Sequence, residues 1–185
     1  MNLEKMFEMQ KALDERIIKE KGLEGQDLLP NLILALQVEL AECANEWRGF
    51  KHWSNDREPR ICVIDKKGQT AKEYYKNPLL EEYVDCLHFI LSIGNWLGWN
   101  DTDTIDDVVV QHLISEKGFD TAKTFSCLLS IAYGFHFSNV EKRTYISLFT
   151  TFFELGNKLG FKWEQIEAAY MEKNAVNHQR QQEGY

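Results

Sequence analysis

The placement of proline most constrains how this chain can fold. Its only three prolines are Pro30, Pro59 and Pro78, and the chain beyond residue 78 contains none. Because proline disrupts the interior of a helix, the second half of the chain can be helical throughout. Residues 2–21 also place apolar side chains at helical spacing, namely Leu3, Met6, Phe7, Leu13, Ile17 and Ile18. These patterns predict an all-α fold, a helical bundle with a central four-helix core.

Seven helices are predicted from this spacing and from residues that start helices. They cover about residues 2–21, 27–50, 77–97, 103–117, 119–137, 138–160 and 163–180. Asn77 followed by Pro78 is typical of a helix start, because the asparagine caps the helix and proline fits its first turn. Ser138 and Glu141 have the spacing of a capping box. Asp27 is the predicted N-cap of the second helix.

Two segments differ from this helical pattern. Residues 54–70 contain a β-like patch from Ile61 to Ile64, and we interpret the whole segment as a loop. The segment 100–120 is acidic and rich in valine, and its polar helix is a candidate mobile segment. The chain shows no repeat, linker or low-complexity stretch, so residues 1–185 are predicted to form a single domain.

Composition and charge exclude several classes of protein. The 29 acidic and 21 basic residues give a net charge of −8, which argues against stable nucleic-acid binding and against an anionic membrane surface. No apolar run is long enough to cross a bilayer, and acids throughout the N-terminus exclude a signal peptide. The four cysteines are far apart, which is typical of free thiols in a reducing cytoplasm. We therefore expect a cytoplasmic protein.

Three glutamates lie on one side of the second predicted helix, in the stretch VELAECANEW. At about 100° per residue, Glu39, Glu42 and Glu46 share an arc of about 60° that borders the apolar face. Carboxylates about 6 Å apart repel by roughly 3 kcal/mol at an effective dielectric constant near 20. Either this arc faces water, or a cation lies against it.

The third predicted helix repeats the pattern in the stretch LLEEYVDCLHF. Glu82 and Asp85 share a face of a helix that is otherwise apolar nearly all round, as in the centre of a bundle. If the two helices pack side by side, four carboxylates meet. Hard oxygen ligands suit Mg²⁺ or Mn²⁺. A solvated acidic face is the alternative, and the residues alone leave both interpretations open.

The C-terminal helix carries cationic and amide side chains on one face. Lys173, Asn177 and Arg180 are spaced by four and three residues. Lysine and arginine bind phosphate groups, and asparagine adds a neutral donor. A solvated basic helix end, favoured by the helix dipole, is the alternative.

These segments together resemble the dimeric all-α dUTPases, within the wider all-α NTP pyrophosphatase superfamily. The resemblance runs through the N-terminal helix with its glutamine, then VELAECANEWRGFKHWS, EEYVDCLHF and KNAVNHQRQQEGY. The paired acidic motifs are typical of the superfamily, whereas the N-terminal helix, FKHWS and the C-terminal motif indicate dUTPase. The chain looks most like the versions carried by bacteria and their phages.

The resemblance implies a role for each motif residue. It implies Mg²⁺ ligands, with Mn²⁺ as an alternative ion, at Glu39, Glu42, Glu82 and Asp85. It implies phosphate contacts at Lys173, Asn177, Arg180 and Tyr185. Glu46 lies outside the ligand pattern, as an extra ligand or as an acceptor that orients a ligated water.

The resemblance also implies a set of residues around the base. Gln10 matches the uracil-side position, while Asp14 lies near the place where the family often has asparagine. His88 and Phe89 follow Asp85 as in the family, and Phe89 would stack on the base. Trp53 would help to close the site. Core packing or solvation is the alternative interpretation of each of these side chains.

The function implied is Mg²⁺-dependent hydrolysis of dUTP to dUMP and pyrophosphate, which keeps uracil out of DNA. The resemblance extends this activity to dUDP, and it implies a homodimer in a bacterial or phage-infected cell. A sister pyrophosphatase acting on another base, such as dCTP, is the enzymatic alternative. The non-enzymatic alternative is a helical interaction module whose segment 100–120 binds a protein partner such as a repressor.

Overall fold

Seven α-helices make up most of the described part of this computed structural model, which comprises residues 2–66, 74–114, 120–137 and 140–184. The all-α prediction is confirmed. The helices are α1 Leu3–Glu20, α2 Leu29–Trp47, α3 Pro78–Leu97, α4 Thr102–Ile114, α5 Thr121–Gly134, α6 Lys142–Lys158 and α7 Trp163–Gln182. None of these helices, within the described residues, is both long and apolar enough to cross a membrane.

Both ends of α3 follow the sequence prediction. The Asn77 side chain accepts a hydrogen bond from the backbone N–H of Leu80 at 3.0 Å, which satisfies one of the free donors at the helix start. Pro78 occupies the first helical position. Gly98 ends the helix in the left-handed conformation with φ of 69°. Residues of these types therefore determine where α3 begins and ends.

The predicted bounds of α2 were wrong by two or three residues at each end. The helix begins at Leu29, because Asp27 accepts a hydrogen bond from the Leu29 N–H in the turn before it. It ends at Trp47, because Arg48 adopts a left-handed conformation with φ of 63° and stops the helix. The predicted capping box of α6 was wrong, because the helix begins at Lys142 and Glu141 is its N-cap in an extended conformation. Ser138 lies outside the described residues.

The interpretation of residues 54–70 as a loop was partly wrong. Strand β1 (Val63–Ile64) pairs antiparallel with strand β2 (Tyr75–Lys76), with Val63 opposite Lys76 and Ile64 opposite Tyr75. Lys76 and Asp65 form an ion pair of 2.8 Å beside this ladder. Each strand has only two residues and both are exposed, so the pair adds little to the core.

Helix α3 lies at the centre of the bundle. It packs against α1, α2, α6 and α7, and buried residues cover it from Leu79 to Gly94. Two buried tyrosines bond it to α6, since Tyr83 donates to the Phe152 carbonyl and Tyr145 donates to the Ile90 carbonyl, each at 3.0 Å. One hydrophobic cluster takes residues from all seven helices. The acids of α3 are therefore held on a rigid element.

The acidic segment 100–120 contains helix α4. Thr104, Ile105 and Val108 are buried, and α4 packs against α6. Asp101 before the helix accepts a hydrogen bond from the Thr104 N–H at 3.0 Å. Residues 115–119 of this segment lie outside the described part of the chain.

Candidate active site

Three carboxylates meet where α2 and α3 pack together. Glu39 and Glu42 from α2 and Glu82 from α3 each offer an oxygen, and these oxygens all lie within 4.8 Å of one another. The close packing of the two helices brings the acidic faces together, because each face borders the apolar stripe that drives the packing. Carboxylate oxygens at this spacing are the donor set that Mg²⁺ and Mn²⁺ prefer.

The electrostatics of this cluster fit a cation. Burial, and then the charge of Asp85, raises the pKa of Glu39 from 4.5 to about 7. Burial and the same neighbour raise the pKa of Glu82 to about 7. Near neutral pH the protein therefore gains by placing a proton or a cation here. A divalent cation would offset the repulsion more fully than one proton.

Asp85 lies beside this cluster and contacts a lysine of α7. The Nζ atom of Lys173 lies 2.6 Å from Asp85 Oδ2 and 3.1 Å from Glu81 Oε1. Burial still raises the pKa of Asp85, although the hydrogen bond and the charge of Lys173 oppose the rise. The fourth predicted ligand thus borders the other three but is paired with an ammonium group.

Glu46 has a different partner. Its Oε1 accepts a hydrogen bond from Arg60 Nη1 at 3.0 Å, in the segment that follows α2. It is not among the three carboxylates that meet. Glu46 is therefore paired with Arg60 and lies apart from the cluster of Glu39, Glu42 and Glu82.

A cavity of about 530 Å³ opens beside the carboxylates, between α1, α2, α3 and α7. Glu39 and Asp85 contribute to its lining, so the cluster and the cavity are continuous. Lys173, Asn177 and Arg180 line it from α7, as their common helical face predicts. The cavity therefore combines anionic and cationic walls.

The wall of the cavity formed by α1 and α3 holds a buried polar network around Gln10. The Gln10 amide nitrogen donates to Asp14 Oδ1 at 2.9 Å and to Ser92 Oγ at 3.0 Å. The Gln10 amide oxygen lies 2.6 Å from His88 Nδ1 and 3.1 Å from the Tyr170 hydroxyl, whose single proton also has the Met6 carbonyl within reach at 3.0 Å. Both N–H groups of this amide, and one lone pair of its oxygen, are thus used within the protein.

This network fixes the chemical state of His88. Burial lowers the pKa of His88 to about 3, so the ring is neutral. Burial raises the pKa of Asp14 to about 6, which leaves it ionised at pH 7 and above, as an acceptor that orients the Gln10 amide. The amide oxygen then faces His88 Nδ1, which carries the proton. Nε2 is an acceptor that is buried without a hydrogen-bond partner among the described residues.

Comparison with known proteins identifies the family of this chain. The sequence model of the dUTPase family matches residues 2–185. The chain belongs to the all-α dUTPase family. The resemblance inferred from the motifs is confirmed, and the enzyme is a dUTP diphosphatase whose substrate is a deoxyuridine nucleotide. A comparison with curated proteins gave no match.

Most of the residues predicted for this dUTPase line one cavity. Phe89 joins Gln10, Asp14 and His88 on its wall. Trp53 does not line it, because its side chain is 68% exposed and packs on Phe50 and His52. Tyr185 lies outside the described residues.

Sequence reasoning missed three residues of the candidate site. Ser92 follows His88 by four residues, and Tyr170 precedes Lys173 by three, so each shares a helical face with a predicted residue. Tyr170 also stacks on the His88 ring at 4.4 Å. Glu81 was missed because the neighbouring Glu82 was assigned to the acidic motif with Asp85. Helical spacing from the motif residues would have found Ser92 and Tyr170.

Proposed function

We propose that this dUTPase is Mg²⁺-dependent, that it releases dUMP and pyrophosphate from dUTP, and that it also hydrolyses dUDP. By removing dUTP it would keep uracil out of DNA. The observation that carries the proposal is the continuity of the carboxylate cluster with the cavity, because Glu39 belongs to both. A triphosphate chain in this cavity has anion-binding residues on α7 and a cation site on α2 and α3.

Glu39, Glu42, Glu82 and Asp85 would hold the Mg²⁺, with Mn²⁺ as an alternative ion. A bound divalent cation neutralises phosphate charge and lowers the pKa of a ligated water. The oxygen-only donor set and the raised pKa values of Glu39 and Glu82 support this assignment. The cluster lies on two packed helices, which keeps its ligands preorganised.

The chain's own residues supply phosphate binding and proton transfer. Lys173, Asn177 and Arg180 would hold the phosphate chain and stabilise the charge on the leaving group. Glu39 or Glu42 would accept the proton of the attacking water.

Base selection would depend on His88. Its Nε2 is a buried acceptor without a partner among the described residues, so the base would reach it only once the cavity wall opens there. It would then match the N3–H donor of uracil and oppose the N3 acceptor of cytosine. Phe89 provides an aromatic wall for the base. Gln10 would act by holding the His88 tautomer, because both N–H groups of its own amide already donate within the protein. This arrangement supports dUTP over dCTP.

A homodimer has a candidate surface on α2. Leu34 and Val38 are 59% and 45% exposed, and Ala41 is exposed on the same helical face. These three side chains fall within about 60° of one another around the helix. A second copy of the chain, related by a twofold axis, would bury this stripe against itself.

A nucleotide panel tests the proposal. Release of pyrophosphate from dUTP, dTTP, dCTP and UTP, and of phosphate from dUDP, is measured with Mg²⁺, with Mn²⁺ and with EDTA. We expect release from dUTP and dUDP alone, its loss in EDTA, and its loss in Glu82→Gln. Glu8→Gln is the matched control, because Glu8 is an exposed acid of α1 outside the cavity lining. Full activity in EDTA would reject the metal site, and equal release from dCTP would reject the base assignment.

A further inference from the structure

Lys173 already acts as a cation within the carboxylate site. Its Nζ atom bonds Asp85 Oδ2 at 2.6 Å and Glu81 Oε1 at 3.1 Å. The side chains of Lys173 and Asp85 are only 14% and 17% exposed, whereas that of Glu81 is 48% exposed. The shorter contact is therefore also the more buried one, where the attraction between opposite charges is stronger.

This contact places two functions in competition. Asp85 is a proposed cation ligand, and one of its oxygens is engaged by the ammonium group. Lys173 is a proposed phosphate ligand, and it also lines the cavity. A cation that binds Asp85 must weaken the contact with Lys173, because both positive charges would share one carboxylate.

We propose that Lys173 is the resident cation of the metal-free site, and that its transfer from Asp85 to the substrate phosphates couples divalent-cation binding to nucleotide binding. The inference rests on the proposed Mg²⁺ site. Glu81 keeps the released ammonium group near the cavity, because it holds the lysine from the exposed side. A phosphate chain offers the lysine another anion, so nucleotide frees Asp85 for the cation. Such coupling is reciprocal.

The first test measures binding of Mn²⁺ alone, without nucleotide, by electron paramagnetic resonance of the free ion. Lys173→Met removes the competing charge, so we expect Mn²⁺ to bind at least about tenfold more tightly, since a charge at this distance shifts proton binding to a carboxylate by about 1–3 pKa units. Lys173→Arg keeps the charge and should remain within about twofold of the wild type.

Lys142→Met is the matched control for loss of a positive charge. Lys142 forms an ion pair of 2.8 Å with Asp101, outside the cavity lining. The affinity of Lys142→Met for Mn²⁺ should equal that of the wild type. Equal Mn²⁺ affinity in the wild type and Lys173→Met would overturn the inference and leave the metal site intact. Absence of Mn²⁺ binding in every protein would overturn the proposed metal site and the inference with it.

A second measurement does not use Lys173→Met and therefore covers a failure of that variant to fold. The side-chain ¹⁵N resonance of Lys173 is recorded by NMR during a titration with Mg²⁺, and Lys173→Arg identifies the signal. We expect the resonance to shift as Mg²⁺ saturates the protein. A resonance that stays constant while Mg²⁺ displaces bound Mn²⁺ would overturn the inference.

Discussion

The amide oxygen of Gln10 lies 2.6 Å from Nδ1 of His88, and this contact joins α1 to α3 at the wall of the cavity. Glutamine can offer either an oxygen or an NH₂ group to a neighbour. Here the carboxylate of Asp14 accepts from the NH₂ group, so the oxygen must face the histidine. The proton on Nδ1 leaves Nε2 as an acceptor. Asp14 thus determines, without contacting the base, that His88 Nε2 is a hydrogen-bond acceptor.

Replacing Gln10 by methionine should therefore weaken base selection. Methionine has a similar volume but cannot accept the Nδ1 proton, which leaves a buried donor unsatisfied and the tautomer of His88 unfixed. We expect kcat/KM for dUTP to fall by about 5- to 150-fold, the equivalent of the 1–3 kcal/mol lost with such a bond. The preference for dUTP over dCTP should fall as well, and steady-state kinetics on both nucleotides measures it.

Gln111→Met is the control for this change, because Gln111 is exposed on α4. It should leave both rates unchanged. If Gln10→Met keeps the full preference for dUTP, His88 does not select the base.

The helices were predictable because local signals determined them. Asn77, Pro78 and Gly98 bound α3 as their residue types indicate. The end of α2 was not predictable, because Arg48 takes a left-handed conformation that usually requires glycine. Strands β1 and β2 have two residues each and depend on pairing between distant segments, which leaves no periodic pattern in the sequence.

The candidate site was predictable where it follows one helix and not where it depends on packing. Glu39 and Glu42 share a face of α2, and their approach to Glu82 required only that two apolar stripes meet. By contrast, Lys173 contacts Asp85 across 88 residues of sequence. Tyr170 reaches Gln10 across 160 residues. Such contacts are set by how the helices pack, which helical spacing does not determine.

Removing the charge of Glu82 should stabilise the metal-free protein at high pH. Its pKa is about 7 in the folded state and 4.5 in the unfolded state, so the folded state holds extra protons between these values. Stability from this group is thus present below about pH 4.5 and is lost as the pH rises through 7. In EDTA at pH 8, the free energy of unfolding of Glu82→Gln should exceed that of the wild type by about 1 kcal/mol, a value reduced to allow for solvent screening of this half-buried group.

Urea denaturation at pH 5, 6, 7 and 8 measures this difference. The comparison with Glu82→Gln is needed because neutral His88 makes an opposite contribution, gaining stability as the pH rises from about 3 to 6.5. The extra stability of Glu82→Gln over the wild type should vanish near pH 5. With Mg²⁺ the wild type should become more stable than Glu82→Gln, since the wild type is stabilised by a bound ion. A difference that is constant with pH would contradict the raised pKa.

Gly94 is required by close packing at the centre of the bundle. A Cβ atom there would lie 2.7 Å from Tyr145 Cζ and 2.9 Å from Phe7 Cε1. Neither ring can move easily, because Tyr145 is buried and its hydroxyl donates to the Ile90 carbonyl. Gly94→Ala should lower the free energy of unfolding by about 1–3 kcal/mol, as overpacked cores do.

Gly134→Ala is the matched control in helix α5, since a Cβ atom there has no neighbour within 4 Å among the described residues. It should be neutral or stabilise the protein by up to about 1 kcal/mol. Urea denaturation of both variants gives the comparison. Equal stability of the two variants would show that the bundle can open around residue 94 without loss.

The exposed stripe on α2 leads to a prediction about assembly. Around a twofold axis, Leu34 of one copy meets the same surface of the other, so a charge introduced there is repeated and repels itself. The wild type should have about twice the chain mass of 21.7 kDa by size-exclusion chromatography with light scattering. Leu34→Glu should shift it to the mass of one chain.

Val110→Glu on α4, where the valine is 53% exposed, should leave the dimer intact. A dimer that survives Leu34→Glu would place the contact on another surface, because two buried glutamates at a twofold axis cannot both remain charged without a partner.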